Sequence, residues 1–229
     1  MKKILAKIKG ILYILQFAIT VTVMILFMYI FKSKNHYFRK KWSSMQMKLL
    51  GIRIEEMGKL DLNAQLLMIN HQSMLDIVIF EYLHQKNIAW IAKQDIEKLP
   101  LFGHIIKAPN MISVDREDKA GLIKLLKDAG DRLESNRPIA IFPEGTRGDG
   151  KKLLPFKAGA KMIANKYNLL VQPIVVIGSK DRLDSVKLTA TSGSVKIIYL
   201  DSFVATKDKD WFEDTQKKMN EVFDDYSIV

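Results

Sequence analysis

The feature that most constrains the fold is an alternation that begins after Gly51. Short apolar runs at 66–69, 88–92, 111–114, 139–142, 170–177 and 195–200 are interleaved with helical patterns at 74–84, 117–136 and 157–167. Most of the runs are continuously apolar instead of alternating, which suits strands buried on both faces. Strands joined through helices of this length predict an α/β fold with a mostly parallel central sheet flanked by helices. Ile52-Arg53-Ile54 alternates like a first strand, and 211–223 has the pattern of a closing helix. At 229 residues the chain has room for one substantial domain and an appendage. We divide it at Gly51, into membrane-attachment helices at 1–50 and a domain at 51–229.

The appendage has its own signature. From Ile11 to Phe31 only Gln16, Thr20 and Thr22 interrupt an apolar run, and about 20 helical residues match the roughly 30 Å of bilayer hydrocarbon. The run is too long for a signal peptide, and no small-residue cleavage site comes after it. Both flanks are basic, so the helix either spans the bilayer or dips into one leaflet with both ends on the cytoplasmic surface. Within 35–50, Phe38, Trp42, Met45 and Leu49 recur at helical spacing with Arg39, Lys40, Lys41 and Lys48 on other sides, the pattern of an interfacial helix.

The formal charge of +11 invites a nucleic-acid reading, and its distribution removes it. Ten of the 36 basic residues and none of the 25 acidic ones fall in residues 1–50, so the remainder is near neutral. Basic charge gathered around an apolar segment is attracted to anionic lipid headgroups, at about 1 kcal/mol per residue. The absence of cysteine excludes disulfides, a thiolate nucleophile and cysteine-ligated metal. The expected location is a membrane's cytoplasmic face, the bacterial inner membrane.

Chemistry concentrates where two apolar runs end. The first leads into Asn70-His71-Gln72-Ser73-Met74-Leu75-Asp76. On one continuous helix His71 and Asp76 would point about 140° apart. Ser73-x-x-Asp76 has capping-box spacing, however, so the helix begins at Ser73 and His71 lies in the extended approach. There the imidazole can fold back onto the carboxylate. A carboxylate that holds one ring nitrogen leaves the other as a base for a hydroxyl proton. A plain helix cap with a polar neighbour has the same spacing.

The second junction is Phe142-Pro143-Glu144-Gly145-Thr146-Arg147, after the run at 139–142. Together, Asn-His-x-x-x-x-Asp and Phe-Pro-Glu-Gly-Thr-Arg resemble the signature of the glycerolipid acyltransferase family. Lys93, Leu99-Pro100-Leu101-Phe102-Gly103 and Val114-Asp115-Arg116 resemble its second block. Pro155-Phe156-Lys157-Ala158-Gly159 resembles the segment after its third block, and Val171-Gln172-Pro173-Ile174-Val175 its fourth block. The likeness covers roughly residues 50–180, in order.

The resemblance implies acyl transfer from a thioester, on acyl carrier protein or coenzyme A, to the free hydroxyl of a monoacylated glycerol phosphate, giving phosphatidic acid. His71 and Asp76 become the catalytic pair, with His71 as base. Lys93, Arg116, Glu144, Gly145, Thr146 and Arg147 become substrate-binding candidates, the cations for phosphate. Glu144 is expected to hydrogen-bond the acceptor or to hold Arg147. No metal or cofactor is required, and direct attack needs no acyl-enzyme. The alternatives are the same chemistry on another lysophospholipid or a lyso-aminolipid, or a non-catalytic lipid-binding protein. Gly145 to Lys152 nearly matches a phosphate loop, but Lys152 stands where the magnesium-binding hydroxyl belongs and Pro155 blocks the helix start.

Overall fold

The computed structural model describes residues 1–115, 119–207 and 210–227. Helix α1 (Lys2–Ile30) is followed by a 3-10 turn, α2 (Asn35–Leu50), and strands β1 (Ile52–Met57) and β2 (Leu66–Ile69). Then come α3 (Leu75–Leu83), β3 (Ala89–Lys93), short helices α4 (Gln94–Glu97) and α5 (His104–Lys107), β4 (Ile112–Val114), α6 (Lys119–Glu134) and β5 (Ile139–Ile141). Next are α7 (Gly159–Tyr167), β6 (Leu170–Ile177), α8 (Ser179–Arg182), and the two-stranded hairpin of β7 (Leu183–Asp184) and β8 (Thr189–Ala190). Strands β9 (Gly193–Tyr199) and β10 (Phe203–Val204) and helix α9 (Trp211–Ser227) complete the chain.

The main sheet runs β1-β9-β6-β2-β5-β3-β4, with β10 also paired to β6. Strands β6, β2, β5, β3 and β4 are mutually parallel. The pair β1 and β9 runs against them, because β9 is antiparallel to β6. The cause lies in the connection between β6 and β9, which folds into a hairpin and supplies no crossover helix. Strand β2 shows why its run is unbroken: Leu67 and Ile69 join the core on one face, Leu66 and Met68 the core on the other. Helices α2 and α3 cover the first face, and α6, α7 and α9 the second.

Among the described residues one helix, α1, is long and apolar enough by length and composition to cross a membrane. It lies lengthwise against the rest of the molecule. Near its start Lys9 Nζ donates to Leu50 O at 3.1 Å and to Ser192 Oγ at 2.6 Å. Gly10 abuts the hairpin so closely that a Cβ there would sit 2.2 Å from Leu188 O. Two of the polar interruptions of its sequence find partners on α2: Gln16 bonds Gln46, and Thr20 Oγ1 accepts from Trp42 Nε1 and Gln46 Nε2. Near its end Tyr29 O–H meets His104 Nδ1 at 2.6 Å. Lys9 and Tyr29 are about 30 Å apart along the axis, so both ends of the helix are held by one body.

Helix α2 packs its Arg39, Ser43, Gln46, Met47 and Leu50 face inward. Of the four apolar residues expected to face lipid, Phe38 stacks on Phe27 of α1 and Trp42 packs edge-on against Phe17, while Met45 and Leu49 are exposed. The arginine is tolerated inside because Glu81 and Asn87 accept from its guanidinium and Trp90 Nε1 also donates to Glu81 Oε1, at 2.8 Å. Helix α2 therefore shares a core with residues beyond Gly51.

Candidate active site

Strands β2, β5 and β3 are adjacent and parallel, so their carboxyl ends lie side by side, where open α/β sheets bind ligands. Residues 70–76 follow β2, 142–147 follow β5, and Lys93 ends β3. Asn70 extends the sheet by one rung, its amide exchanging hydrogen bonds with the Val176 backbone of β6 at 2.6 and 2.9 Å. The chain then turns into α3. Asp76 Oδ2 accepts from Gln72 N and Ser73 N, both at 2.8 Å, and meets His71 Nδ1 at 3.0 Å. Ser73 Oγ accepts from Leu75 N, one residue earlier than a strict capping box has it, and donates to Leu183 O. The carboxylate thus caps the helix and holds the imidazole in one arrangement.

Phe142 supports the imidazole from the side, with ring centroids 3.8 Å apart and planes 12° apart, and Trp90 continues the stack at 5.3 Å. The sequence placed Phe142 at a strand end and at the head of the second motif, but did not show this role. The stacking depends on β5 lying between β2 and β3, a strand order that the sequence does not give.

Both carboxylate oxygens of Glu144 accept from backbone N–H groups. Its side chain is 1% exposed; Oε1 accepts from His71 N at 2.6 Å and Oε2 from Leu154 N at 2.7 Å. Among the described residues no ion pair joins it to Arg147. Glu144 is therefore a clamp between the His71 turn and the loop after Arg147. Gly145, at φ 74°, takes the left-handed turn that this clamp requires. Gly148 N donates to His71 O at 2.7 Å and Gly150 N to Gln72 Oε1 at 2.8 Å, so the loop lies on the same turn.

Burial pushes the Glu144 carboxyl up to about 7, against the two backbone N–H donors that pull it down. Its folded value lies above its ordinary 4.5, so folding retains a proton in the interval between them. The stability this group contributes is complete below pH 4.5 and is lost as pH rises through 7. Wild type is expected to lose on the order of 3 kcal/mol across that window from this group, whereas Glu144→Gln lacks that component of the slope. Thermal unfolding of both proteins between pH 4.5 and 8 checks this, and parallel slopes would refute it.

Lys93 and Arg147 are both exposed. Lys93 is about half exposed and pairs with Asp95. Arg147 Nη1 donates to Ser185 Oγ at 2.7 Å, and Thr146 is exposed beside it. Both contacts are exposed and cheap to exchange for an anionic ligand. Arg116 lies outside the described residues. His71, Lys93 and Gly145 are among the residues lining a cavity of about 310 Å³. Its walls are overwhelmingly apolar: Phe17, Val21 and Met24 of α1, Trp42 of α2, Ile77 and Val78 of α3, and Ile105 and Ile106 of α5. The buried Arg39–Glu81 pair also lines it.

An imidazole held by a carboxylate, on the wall of an apolar slot that Lys93 also lines, is an arrangement suited to moving a proton on a lipid. An acyltransferase family model matches residues 51–177. A 1-acyl-sn-glycerol-3-phosphate acyltransferase of Helicobacter pylori is 41% identical over 91% of this chain and 90% of its own length. A lyso-ornithine lipid O-acyltransferase of Rhizobium meliloti is 30% identical over 65% of this chain and half of its own. Among solved structures, the 1-acyl-sn-glycerophosphate acyltransferase PlsC of Thermotoga maritima superposes with a TM-score of 0.73, covering 98% of this chain and 95% of that one at 23% identity. The fold, the matched residues and the extent of these likenesses make this chain a member of the acyltransferase family.

Proposed function

We propose that the protein transfers an acyl chain from a thioester, carried on acyl carrier protein or coenzyme A, to the free hydroxyl of 1-acylglycerol-3-phosphate, yielding phosphatidic acid. The observation that carries this reading is the pairing of His71, which lines the apolar cavity, with the buried Asp76. The name of the Helicobacter pylori relative agrees with it. Asp76 Oδ2 accepts from Nδ1–H and fixes the tautomer, so Nε2 takes the acceptor's hydroxyl proton. The alkoxide attacks the thioester carbonyl, a C–O bond forms, and the tetrahedral intermediate expels the thiolate as the C–S bond breaks. His71 returns its proton to that thiolate. The transferred chain lies in the cavity, and the acceptor's phosphate exchanges with Asp95 at Lys93 and with Ser185 at Arg147.

Docking along its whole length fits α1 to a membrane in the bilayer plane, with its outward residues Ile11, Leu15, Ile19, Leu26 and Ile30 in lipid. The catalytic domain then lies on the cytoplasmic face, where thioester donors are made available. Residues 1–50 serve as the attachment segment and 51–229 as the acyltransferase domain, although α2 belongs to both in packing.

The acceptor's headgroup is the point of discrimination. Arg147→Ala and Lys93→Ala should each weaken use of lysophosphatidic acid by about 1.5–3 kcal/mol in kcat/KM, the range for hydrogen bonds to charged groups. They should penalise monoacylglycerol much less, since it has no phosphate. Equal losses on both acceptors would reject phosphate recognition here. A wild type that prefers a lyso-aminolipid would move the reading to that acceptor.

A further inference from the structure

We infer a second membrane-inserting element, the loop at 98–103 between α4 and α5, which forms one side of a lateral entrance from the bilayer to the cavity. The inference rests on the cavity being the acyl site proposed above. Leu99 and Leu101 are 50% and 45% exposed, and Ile96 and Phe102 are exposed beside them. Exposed large apolar residues crowded into one loop mark a contact surface, unlike a single exposed leucine. The loop is held in shape by its own backbone: Gly103 N donates to Leu99 O at 2.9 Å, His104 N to Leu101 O at 3.1 Å and Ile105 N to Phe102 O at 3.1 Å. Lipid, and not another protein, is the indicated partner on two grounds. Exposed Lys98 and Lys107 flank the apolar tip, as anionic headgroups require. The tip is also joined to the lipid-facing helix, because Tyr29 of α1 bonds His104 at the loop's base.

The position matters for entry. Ile96 and Phe102 line the cavity on the loop side, and Phe17, Val21 and Met24 line it on the α1 side. Two walls that are apolar both inside and outside, immersed together, leave the gap between them opening into hydrocarbon. A lysolipid then passes from leaflet to His71 without its chain crossing water.

The test uses the full chain and residues that do not line the cavity. Leu101→Trp, reconstituted in vesicles of phosphatidylcholine and phosphatidylglycerol, is expected to show added emission that brominated acyl chains quench. Leu99→Asp/Leu101→Asp is expected to keep wild-type turnover on a short-chain, monomeric lysophosphatidic acid. On long-chain acceptor embedded in vesicles it should lose about tenfold or more, while α1 still carries it to the membrane. Unquenched emission from the Leu101→Trp indole, or equal losses on the two acceptors, would overturn the inference. Quenched emission in a protein inactive on every acceptor would instead refute the acyl-transfer reading and leave the insertion standing.

Discussion

His71→Ala is expected to lower kcat by about 100- to 10,000-fold, the usual contribution of a positioned general base, while the protein remains folded. The fold tolerates the change because the cap of α3 does not depend on the imidazole: Asp76 Oδ2 still receives Gln72 N and Ser73 N. Asp76→Asn separates the two functions of the carboxylate. Its amide oxygen can keep the three donors of Oδ2, and its nitrogen falls where Oδ1 has no hydrogen-bond partner among the described residues. Stability should therefore drop modestly, while the rate falls with the lost charge that stabilises the imidazolium. Turnover and circular dichroism on both variants check this. Near-normal turnover in either variant would contradict the assigned role.

The largest stability effect is expected at Arg39. This side chain is 4% exposed and pairs with Glu81, itself 6% exposed. Arg39→Ala leaves the Glu81 carboxylate buried in the cavity wall without its paired guanidinium, with Trp90 Nε1 still donating to it and Arg137 as the remaining cation whose charge reaches it, and should cost about 3–5 kcal/mol. Replacing both partners removes the stranded charge, so Arg39→Met/Glu81→Met should recover most of that loss. Denaturant titrations of the single and double variants decide it. A single variant as stable as wild type would mean that the pair is hydrated and carries little.

Much of this was legible in residue order. Helix α2 spans the expected 35–50, and the strand-like runs coincide with β2 to β6 within a residue or so, because continuous apolar runs have few other uses in a chain of this size. The meeting of His71 and Asp76 followed from local rules alone, since a cap five residues away is a short-range contact. What failed to show was set by distant partners. The reversed direction of β9 depends on the hairpin at 183–190, whose strands have two residues each and no periodicity to detect. Glu144 sits in a motif that suggests substrate contact, yet its oxygens go to backbone groups at His71 and Leu154, which no side-chain pattern encodes. Arg39 looked like part of a charged surface and is inside, because its acceptors Glu81 and Asn87 come from elements 42 and 48 residues away.

The most direct test is transfer itself. Purified full-length protein in detergent or vesicles is given 1-acylglycerol-3-phosphate and a thioester labelled in its acyl chain, on acyl carrier protein or on coenzyme A, and the lipid products are separated. The expected result is labelled phosphatidic acid from wild type with at least one carrier, only trace product from His71→Ala, and no label left on the protein. Absence of labelled phosphatidic acid with both carriers, or equal product from wild type and His71→Ala, would contradict direct acyl transfer with His71 as its base.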